Sequence, residues 1–357
     1  MPCTLKDIAA EAGVSTATVS LVLNNRECRI SDKTRKAIWA IAKQNNYVPN
    51  ASARALVMRQ SQTLGLIIPN IDNPYFSELA KGVEKEAQKL DYSVIFCTSG
   101  GNARKDILNF KLLTSRQIDG LILVTSIGDQ DADHANEFNR LASESGIPIV
   151  QFDRAVPGGS YDSISVDHRL GGYLATRFLV QQGYRRIACA AGPVNVPTAQ
   201  ERYHGYTQSL EEAGLALRPE WVTHGEYAFD TGVEAAQTLL DESIDAVFAA
   251  NDMIACGFIR AMRERGMVVG KDIAVVGFDN IPLSEYLDTP LTTVAQPLYE
   301  MGKSACSMLI KACIATRRTH SVHQSLCFSP RLVIRETAPK RLAPALRGEG
   351  VFRSPAG

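Results

Sequence analysis

The chain of 357 residues carries 38 basic and 38 acidic side chains, so its formal net charge is zero, and 45% of its residues are hydrophobic. No segment is long enough or apolar enough to span a membrane, so we expect no membrane partner. The start of the chain carries Lys6, Asp7 and Glu11 where a secretory signal needs an apolar run, so we expect a protein that stays in the cytoplasm.

The first 24 residues predict two short helices joined by a tight turn. Thr4 and Asp7 have capping-box spacing and predict a helix from Leu5, which Gly13 ends because glycine readily adopts the left-handed conformation. Ser15 then caps a second helix, whose outer face carries Thr16, Ala17, Ser20 and Leu21. Two helices around a glycine turn occur in many folds, but this layout is typical of a helix-turn-helix that reads the DNA major groove.

Charge and a third helix support the DNA-binding interpretation. Residues 1–60 hold nine Lys or Arg and four Asp or Glu, so this segment has a net charge of +5 and the remainder of −5. A basic head on an acidic body predicts a nucleic-acid partner for the head alone. Ser31 caps a third helix that ends near Asn45, and we expect Trp39 to close a small core with Leu5, Ile8 and Val19.

The segment that follows this head differs from an ordinary buried helix. Pro49 precedes a run of small residues with a single large apolar side chain, Leu56. Leucine is one of the side chains that insert between base steps in the minor groove. Alone, this segment would be an ordinary linker, but beside a helix-turn-helix it predicts a hinge helix that forms on docking to DNA. We therefore divide this region into a DNA-binding domain, 1–48, and a hinge helix and linker, 49–62.

From residue 63 to 340, apolar runs alternate with amphipathic segments. This alternation predicts parallel sheets covered by helices on both faces, and about 280 residues exceed a single core. We predict strands at 64–68, 93–97, 120–124, 148–152, 187–191, 246–249 and 273–277, with helices at 76–90, 104–115, 134–145, 170–182, 199–212, 235–240 and 254–265. The pattern occurs twice, so we expect two doubly wound lobes. The tail, 341–357, is rich in Pro, Gly and Arg, a composition typical of disorder.

Polar and aromatic side chains follow the ends of these strands, where open α/β sheets bind their ligands. They are Tyr75, Phe76, Asp153, Arg154, Thr198, Arg202, Tyr227, Asn251, Asp252 and Asp279. Asp, Asn and Arg can bind adjacent hydroxyl groups while aromatic rings stack on an apolar face, so the set favours a sugar. Other roles remain open: Asn251 and Asp252 can simply cap a helix, Tyr75 can pack between the lobes, and Asp153 can pair with Arg154.

These motifs together resemble the LacI/GalR family of bacterial transcription regulators. The resemblance runs from about Thr4 to about Glu336. It is carried by VSTATVS (14–20), NASARAL (50–56), GLIIP (65–69), NPYF (73–76), DGLI (119–122), ND (251–252), VGFDN (276–280) and PLTTV (290–294). Each motif is weak by itself, whereas their combination is specific.

The resemblance implies an all-α helix-turn-helix head and a two-lobed, periplasmic-binding-protein-like α/β core built on two parallel sheets. It implies a homodimeric repressor that binds a pseudo-palindromic operator and a small effector, with a carbohydrate favoured. The residues expected to contact DNA are Thr4, Ser15, Thr16, Ala17, Thr18, Leu21, Asn24, Arg26, Arg29, Asn50, Ala53 and Leu56. The residues expected to bind effector are Tyr75, Phe76, Asp153, Arg154, Thr198, Arg202, Tyr227, Asn251, Asp279 and Gln296.

The resemblance also implies that the core chain crosses between its lobes three times. We place the first lobe at 63–162 and 295–322 and the second at 163–294 and 323–339, with a helix at 298–313. Leu326–Ile334 is expected to return as a strand to the second lobe. Three crossings make a hinge about which the lobes rotate when a ligand binds.

Some positions depart from the family pattern. Leu21 is apolar where many relatives have a polar reader, and either Arg26 or Arg29 can meet a phosphate. Val196 stands where purine-responsive members have an arginine, which argues against a purine effector. Two alternatives remain: a corepressor-dependent regulator with a non-sugar effector, and a solute-binding protein.

No enzyme motif survives inspection. The glycines at 266 and 270 are separated by three residues where a phosphate-binding loop has four. The eight cysteines are scattered without metal-ligand spacing and fit reduced cytoplasmic thiols. We expect no catalytic residues, no metal and no cofactor, and a location in the bacterial cytoplasm, on the nucleoid when the protein is bound to DNA.

Overall fold

The chain divides into two compact units after Gln62. A computed structural model of the protein describes residues 3–23, 28–47, 60–315 and 323–341. We call the unit up to Gln62 the head and the unit from Thr63 the core. Helices and strands are numbered below in chain order over the described residues.

The head consists of three helices, α1 (Leu5–Ala12), α2 (Thr16–Leu23) and α3 (Asp32–Gln44). The predicted capping box is present, because the Thr4 hydroxyl accepts from the Asp7 backbone N–H while the Asp7 carboxylate accepts from the Thr4 N–H. Gly13 ends α1 with φ of 67°. The Ser15 and Ser31 hydroxyls cap α2 and α3 by accepting from Thr18 and Thr34 backbone N–H groups, both at 3.1 Å.

Ile8, Val19, Val22 and Ile38 form the centre of the head and are fully buried. The prediction that Trp39 closes this core is wrong, because 44% of its surface is exposed. Successive helical residues are rotated by about 100°, so a helix that buries Ile38 turns Trp39 toward solvent.

The first lobe of the core is a six-stranded parallel sheet in the order β2-β1-β3-β4-β5-β11. Helices cover it on both faces, and α4 packs against α12, which arrives from late in the chain. The elements are β1 (Thr63–Ile68), α4 (Pro74–Lys89), β2 (Ser93–Thr98), α5 (Ala103–Ser115), β3 (Gly120–Leu123), α6 (Ala132–Ser145), β4 (Ile149–Phe152), β5 (Asp162–Val166), α12 (Leu298–Ala315) and β11 (Ser325–Phe328).

The second lobe repeats this arrangement with strand order β7-β6-β8-β9-β10-β12, and only β12 is antiparallel to its neighbour. A short 3₁₀ turn, Pro219–Trp221, precedes β7. The elements are α7 (His168–Gln181), β6 (Ile187–Ala191), α8 (Pro197–Glu212), β7 (Val222–His224), α9 (Phe229–Leu239), β8 (Ala246–Ala249), α10 (Asp252–Glu264), β9 (Ala274–Asp279), α11 (Leu283–Tyr286), β10 (Thr292–Ala295) and β12 (Arg331–Val333). None of the helices in the described ranges is both long and apolar enough to cross a membrane.

The structure corrects two details of the predicted lobe boundaries. The boundary between 162 and 163 falls inside β5, a strand that we did not predict because Asp162, Ser163 and Ser165 interrupt its apolar pattern. The single strand expected at Leu326–Ile334 is two strands in different sheets, with β11 paired to β5 and β12 paired to β10. The run breaks at Pro330, which has no backbone N–H to donate.

The chain therefore crosses between the lobes at Asp167, at Gln296–Pro297 and at Ser329–Pro330. Each crossing joins a strand of one sheet to an element of the other lobe. Beyond β12, the chain runs along the second lobe as far as Arg341, which pairs with the buried Asp245 carboxylate. Residues 49–59 of the predicted hinge helix and linker (49–62) and residues 342–357 of the predicted tail (341–357) lie outside the described residues.

Close contact between α7 and α8 fixes these two helices of the second lobe against each other. Gly172 of α7 lies against the Arg202 backbone, and Gly205 of α8 lies against the Arg169 backbone. A Cβ at either glycine would overlap a carbonyl oxygen of the other helix. Because the backbones meet directly at these points, Arg202 is carried on a helix that has little freedom to shift.

Candidate functional site

A cavity of about 320 Å³ lies between the two lobes of the core, at the carboxyl ends of their strands. Nine of the ten residues predicted to bind effector line it: Tyr75, Phe76, Asp153, Arg154, Thr198, Arg202, Tyr227, Asn251 and Asp279. The tenth, Gln296, lies behind Asp279 and donates from Nε2 to its Oδ1 at 2.7 Å. Gln296 therefore supports a cavity residue without lining the cavity itself.

The centre of the site is an ion pair between Arg202 and Asp279. Arg202 Nη1 lies 3.2 Å from Asp279 Oδ1, and each side chain is 4% exposed. Nη1 also donates to the Ala250 carbonyl at 2.6 Å, and the guanidinium lies 3.8 Å from the centre of the Phe278 ring. The guanidinium is therefore held by an anion, a carbonyl and an aromatic face at once.

Burial and pairing have opposite effects on the pKa of the Asp279 carboxyl. Burial raises the pKa of Asp279 to about 6, although Arg202 and the Gln296 amide favour its ionised form. The residue ends β9 with φ of 107°, a conformation that non-glycine residues rarely adopt. Such backbone strain typically stores about 1–3 kcal/mol and is concentrated at functional sites.

On the side of the first lobe, Asp153 is occupied by two donors. The Tyr75 hydroxyl donates to its Oδ2 at 3.1 Å, and His168 Nε2 lies 2.6 Å from its Oδ1. Burial alone would raise the pKa of Asp153, but His168 and Arg202 hold it below its usual value. The structure thus pairs Asp153 with His168 of the second lobe, and not with its neighbour Arg154.

His168 is a central residue that sequence reasoning missed. It opens α7, is 6% exposed, and its Nδ1 accepts from Arg202 Nε at 3.1 Å. We expected α7 to begin at Leu170. Asp167, which caps α7 by accepting from the Leu170 N–H at 2.8 Å, was the one signal of an earlier start.

The alternative roles considered for the polar residues are partly realised. Asn251 does cap α10, accepting from the Ile254 N–H at 2.8 Å, yet it also lines the cavity. Asp252 accepts from the Ile281 N–H and the Thr293 hydroxyl and is fully buried. Burial, with the nearby Asp279, raises its pKa well above the usual range, so Asp252 supports the loop after β9 and does not line the cavity.

Aromatic side chains form the remaining walls of the cavity. The Tyr75 and Phe76 rings meet edge to face with centroids 5.0 Å apart. The centroid of the Tyr227 ring lies 5.2 Å from the Arg202 guanidinium carbon. Asparagine and serine side chains that we did not predict also line the cavity, namely Asn70, Asn73, Ser126 and Asn195, as does Glu226. A cavity with charged side chains, neutral polar groups and aromatic faces can bind a small polyhydroxylated molecule.

No group of three or more His, Cys, Asp or Glu within the described ranges is arranged to hold a metal ion. Two pairs of polar cavity residues instead contact each other directly, Tyr75 with Asp153 and Arg202 with Asp279.

In the head, α2 presents the side chains predicted to read DNA. Ser15, Thr16 and Ala17 are exposed, whereas Thr18 and Leu21 are partly buried. Thr4 and Arg29 are also exposed. Asn24, Arg26, Asn50, Ala53 and Leu56 lie outside the described residues, so their predicted contacts stay predictions.

Comparison with known proteins gives two family matches that together span most of the chain. Residues 4–50 match the model described as bacterial regulatory proteins of the lacI family. Residues 61–330 match the model described as periplasmic binding proteins and sugar binding domain of the LacI family.

Individual relatives match over nearly their full length. The ribose operon repressor of Haemophilus influenzae is 36% identical over 94% of this chain and 98% of its own. The transcriptional repressor PurR of Vibrio campbellii is 34% identical over 94% of this chain and 99% of its own. A crystal structure of the lac repressor dimer bound to operator and an anti-inducer has a TM-score of 0.83 at 28% identity, covering 95% of this chain and 100% of that one.

The ion pair at the centre of the cavity predicts a specific pattern of stability. In Arg202→Met, the Asp279 carboxyl stays buried without its partner, and we expect the free energy of unfolding to fall by about 3 kcal/mol near pH ~8. The fall should be smaller near pH ~5, where Asp279 accepts a proton. Urea unfolding followed by circular dichroism measures both values.

The double variant Arg202→Met/Asp279→Asn is the control, because it removes the stranded charge and should recover most of the lost stability. The sign of the wild-type effect follows from the raised pKa: Asp279 contributes stability below pH ~4 that is lost as the pH rises through about 6. Additive losses in the double variant would contradict a coupled pair.

Proposed function

The chain belongs to the LacI family of bacterial regulatory proteins, and from that premise we propose that it is a repressor whose operator affinity is controlled by a sugar bound between the lobes of its core. The head binds the operator, the cavity binds the effector, and the three crossings allow the lobes to rotate against each other. Such coupling is reciprocal, so an effector that weakens operator binding is itself bound more weakly by the operator complex.

The Arg202–Asp279 pair in the cavity is the observation that carries this proposal. Arg202 Nε and Nη1 are engaged by protein acceptors, which leaves Nη2 as the donor for a ligand. Asp279 Oδ1 receives Gln296 and Arg202, which leaves Oδ2 as the acceptor. A donor and an acceptor side by side match two adjacent hydroxyl groups of a sugar, one accepting and one donating.

Whether the effector is a sugar or a purine is inferred from the side chains that line the cavity. A relative named for the ribose operon and a relative named PurR are similarly close to this chain. Val196 lines the cavity near Thr198 and supplies no hydrogen bond from its side chain to a planar base. We therefore favour a sugar, with D-ribose as the first to test.

The surface of the head fits double-stranded DNA. The N-terminal turn of α2 exposes small hydroxyl and methyl groups, which can reach base edges and thymine methyls in the major groove. Lys6, Arg29, Lys33 and Lys36 are exposed around it and can contact phosphates. We propose that α2 is the recognition helix.

Two heads in a homodimer would bind the two halves of a pseudo-palindromic operator. The first lobe offers a surface for such pairing, since β2 is an edge strand and large apolar side chains on it and on α5 are exposed. They are Ile95, Phe96, Leu108 and Leu112, with exposed fractions of 37–53%. Burying this edge against a second copy would remove it from water. We propose that the protein acts on operator DNA in the bacterial cytoplasm and has no enzymatic activity.

The effector proposal predicts a measurable response to sugars. Adding D-ribose, other pentoses or hexoses to the full chain should raise its melting temperature for at least one sugar, because a ligand that binds only the folded state stabilises it. Differential scanning fluorimetry measures this shift. The same sugar should have no effect on Asp279→Ala, whereas Asp241→Ala, which removes an exposed carboxylate, should respond like the wild type.

If a purine base raises the melting temperature and the sugars do not, the sugar assignment is wrong and the protein is a corepressor-type regulator. If the sugar shifts Asp279→Ala as much as wild type, the effector does not contact this residue.

A negative charge introduced on the recognition helix should weaken DNA binding and leave effector binding unchanged. Ala17→Glu places a carboxylate on the exposed face of α2, and we expect operator affinity to fall at least about a hundredfold, since a defective base contact costs about 1–3 kcal/mol and the charge repels phosphate as well. Fluorescence anisotropy with an operator selected from random duplexes measures the affinity. Ala40→Glu makes the same change on the exposed surface of α3 and should weaken binding only a few-fold. Equal losses in the two variants would argue against α2 as the reader.

A further inference from the structure

A continuous chain of polar contacts crosses the core from one lobe to the other. It begins at Tyr75 and Asp153 in the first lobe, passes through His168 and Arg202, and continues to Asp279. It ends at Gln296. All its links are buried side chains, with distances between 2.6 and 3.2 Å.

The chain of contacts touches two of the three points where the backbone passes between the lobes. His168 is the first residue after the crossing at Asp167, and Gln296 lies in the crossing at Gln296–Pro297. Between them stand Arg202 and Asp279, the two cavity residues that face a ligand. Arg202 is hydrogen-bonded to His168 at the first crossing, and Asp279 is hydrogen-bonded to Gln296 at the second. A ligand that binds Arg202 or Asp279 therefore affects contacts at both crossings.

The bonding around His168 allows only one protonation state. A guanidinium nitrogen has no lone pair to accept a hydrogen bond, so His168 Nδ1 must be the acceptor of the Arg202 Nε–H and carries no proton. The ring proton is on Nε2, which donates to Asp153 Oδ1. A second proton on Nδ1 would point at the Arg202 N–H and break this contact.

We propose that His168, as the neutral Nε2–H tautomer, is the positioning residue that holds Arg202 of the second lobe against Asp153 of the first and so makes the lobe arrangement sensitive to the effector. This proposal rests on the proposed function only in one respect, the identity of the effector. The contacts by which His168 holds Arg202 and the crossings are present in the protein without a ligand.

Charged groups on each side of His168 bear on its protonation. Asp153 and Arg154 face it from the end of β4, and Arg202 faces it from α8. Phe278 of β9 stacks on it at 6.0 Å, and Asp279 and Tyr75 reach it through Arg202 and Asp153. On α7 itself, Arg169 is exposed and bonds Gln208, and Asp167 caps the helix. Burial and the charges of Arg202 and Arg154 lower the pKa of His168, whereas the charge of Asp153 raises it. The net effect is a lowered pKa.

Nitrogen NMR of the full chain labelled with ¹⁵N-histidine tests the protonation state directly. Among the six histidines, the resonances lost in His168→Gln identify His168. We expect an unprotonated Nδ1 and a protonated Nε2 at pH ~7, and a ring that stays neutral below pH ~6, where an ordinary histidine is charged. An Nδ1–H tautomer, or a charged ring at pH ~7, would overturn the proposal.

Hydrogen exchange by mass spectrometry tests the positioning role. In His168→Leu, the backbone amides of Asp167 and Gln296, one at each of the two crossings, should exchange at least about tenfold faster than in wild type. His168→Gln keeps one donor and one acceptor and should stay within about threefold of wild type. His204→Leu, an exposed histidine on α8, is the matched control and should change nothing. A His168→Gln variant that exchanges like His168→Leu would refute a role based on hydrogen bonding.

Affinity for D-ribose, measured by calorimetry near pH ~8, extends the test to the effector. We expect at least about a tenfold weaker Kd in His168→Leu and recovery to within about threefold in His168→Gln. If wild type does not bind D-ribose, the sugar proposal loses its first candidate, while the NMR and exchange results still decide the role of His168. If D-ribose binds equally to all three proteins, His168 does not position Arg202.

Discussion

Burial of the Arg202 guanidinium between two lobes of a parallel α/β core is the constraint on which the arrangement of the site depends. A buried cation must be paired and hydrogen-bonded or it destabilises the fold. Asp279, the Ala250 carbonyl and His168 satisfy it. The contact of α7 with α8 at Gly172 and Gly205 fixes the helix that carries it. The side chain of Arg202 is therefore held in place by these contacts and by the helix that carries it.

Such a site can respond to a ligand because its polar groups can change hydrogen-bond partners, whereas the packed cores of the lobes around it cannot rearrange. The sheets on either side are packed with buried apolar side chains, so we expect each lobe to move as a rigid body when the lobes rotate. The polar groups between them can pair with one another or with hydroxyl groups of a ligand. The free-energy difference between these two pairings is what can shift the lobes, and through the dimer the spacing of the heads.

Much of this architecture follows from the sequence, because amphipathic helices and apolar strands have strong periodic signals. The capped helices of the head and the strand-end residues of the cavity are of this kind. Weak local signals account for what was missed: β5 is interrupted by polar residues, and β11 and β12 are two short strands in different sheets with only Ser329 and Pro330 between them. Trp39 shows that an aromatic residue in a small helical domain is not always part of its core.

The His168 contacts could not be predicted for a different reason. His168 and Arg202 are 34 positions apart, and Asp153 reaches His168 only because the first crossing places β4 beside the start of α7. Nothing local in the sequence distinguishes a histidine that bridges two lobes from an exposed histidine such as His204. The tautomer, likewise, is set by partners that only the tertiary fold brings together.

The central claim is that the cavity and the DNA-binding head are coupled. The most direct test is to measure the Kd of the effector twice by calorimetry, for the free protein and for the protein saturated with operator, and the Kd of the operator with and without effector. Coupling predicts that the two ratios are equal and differ from one by about 5–150-fold. An effector Kd that operator leaves unchanged would contradict the account, because the two sites would then be independent.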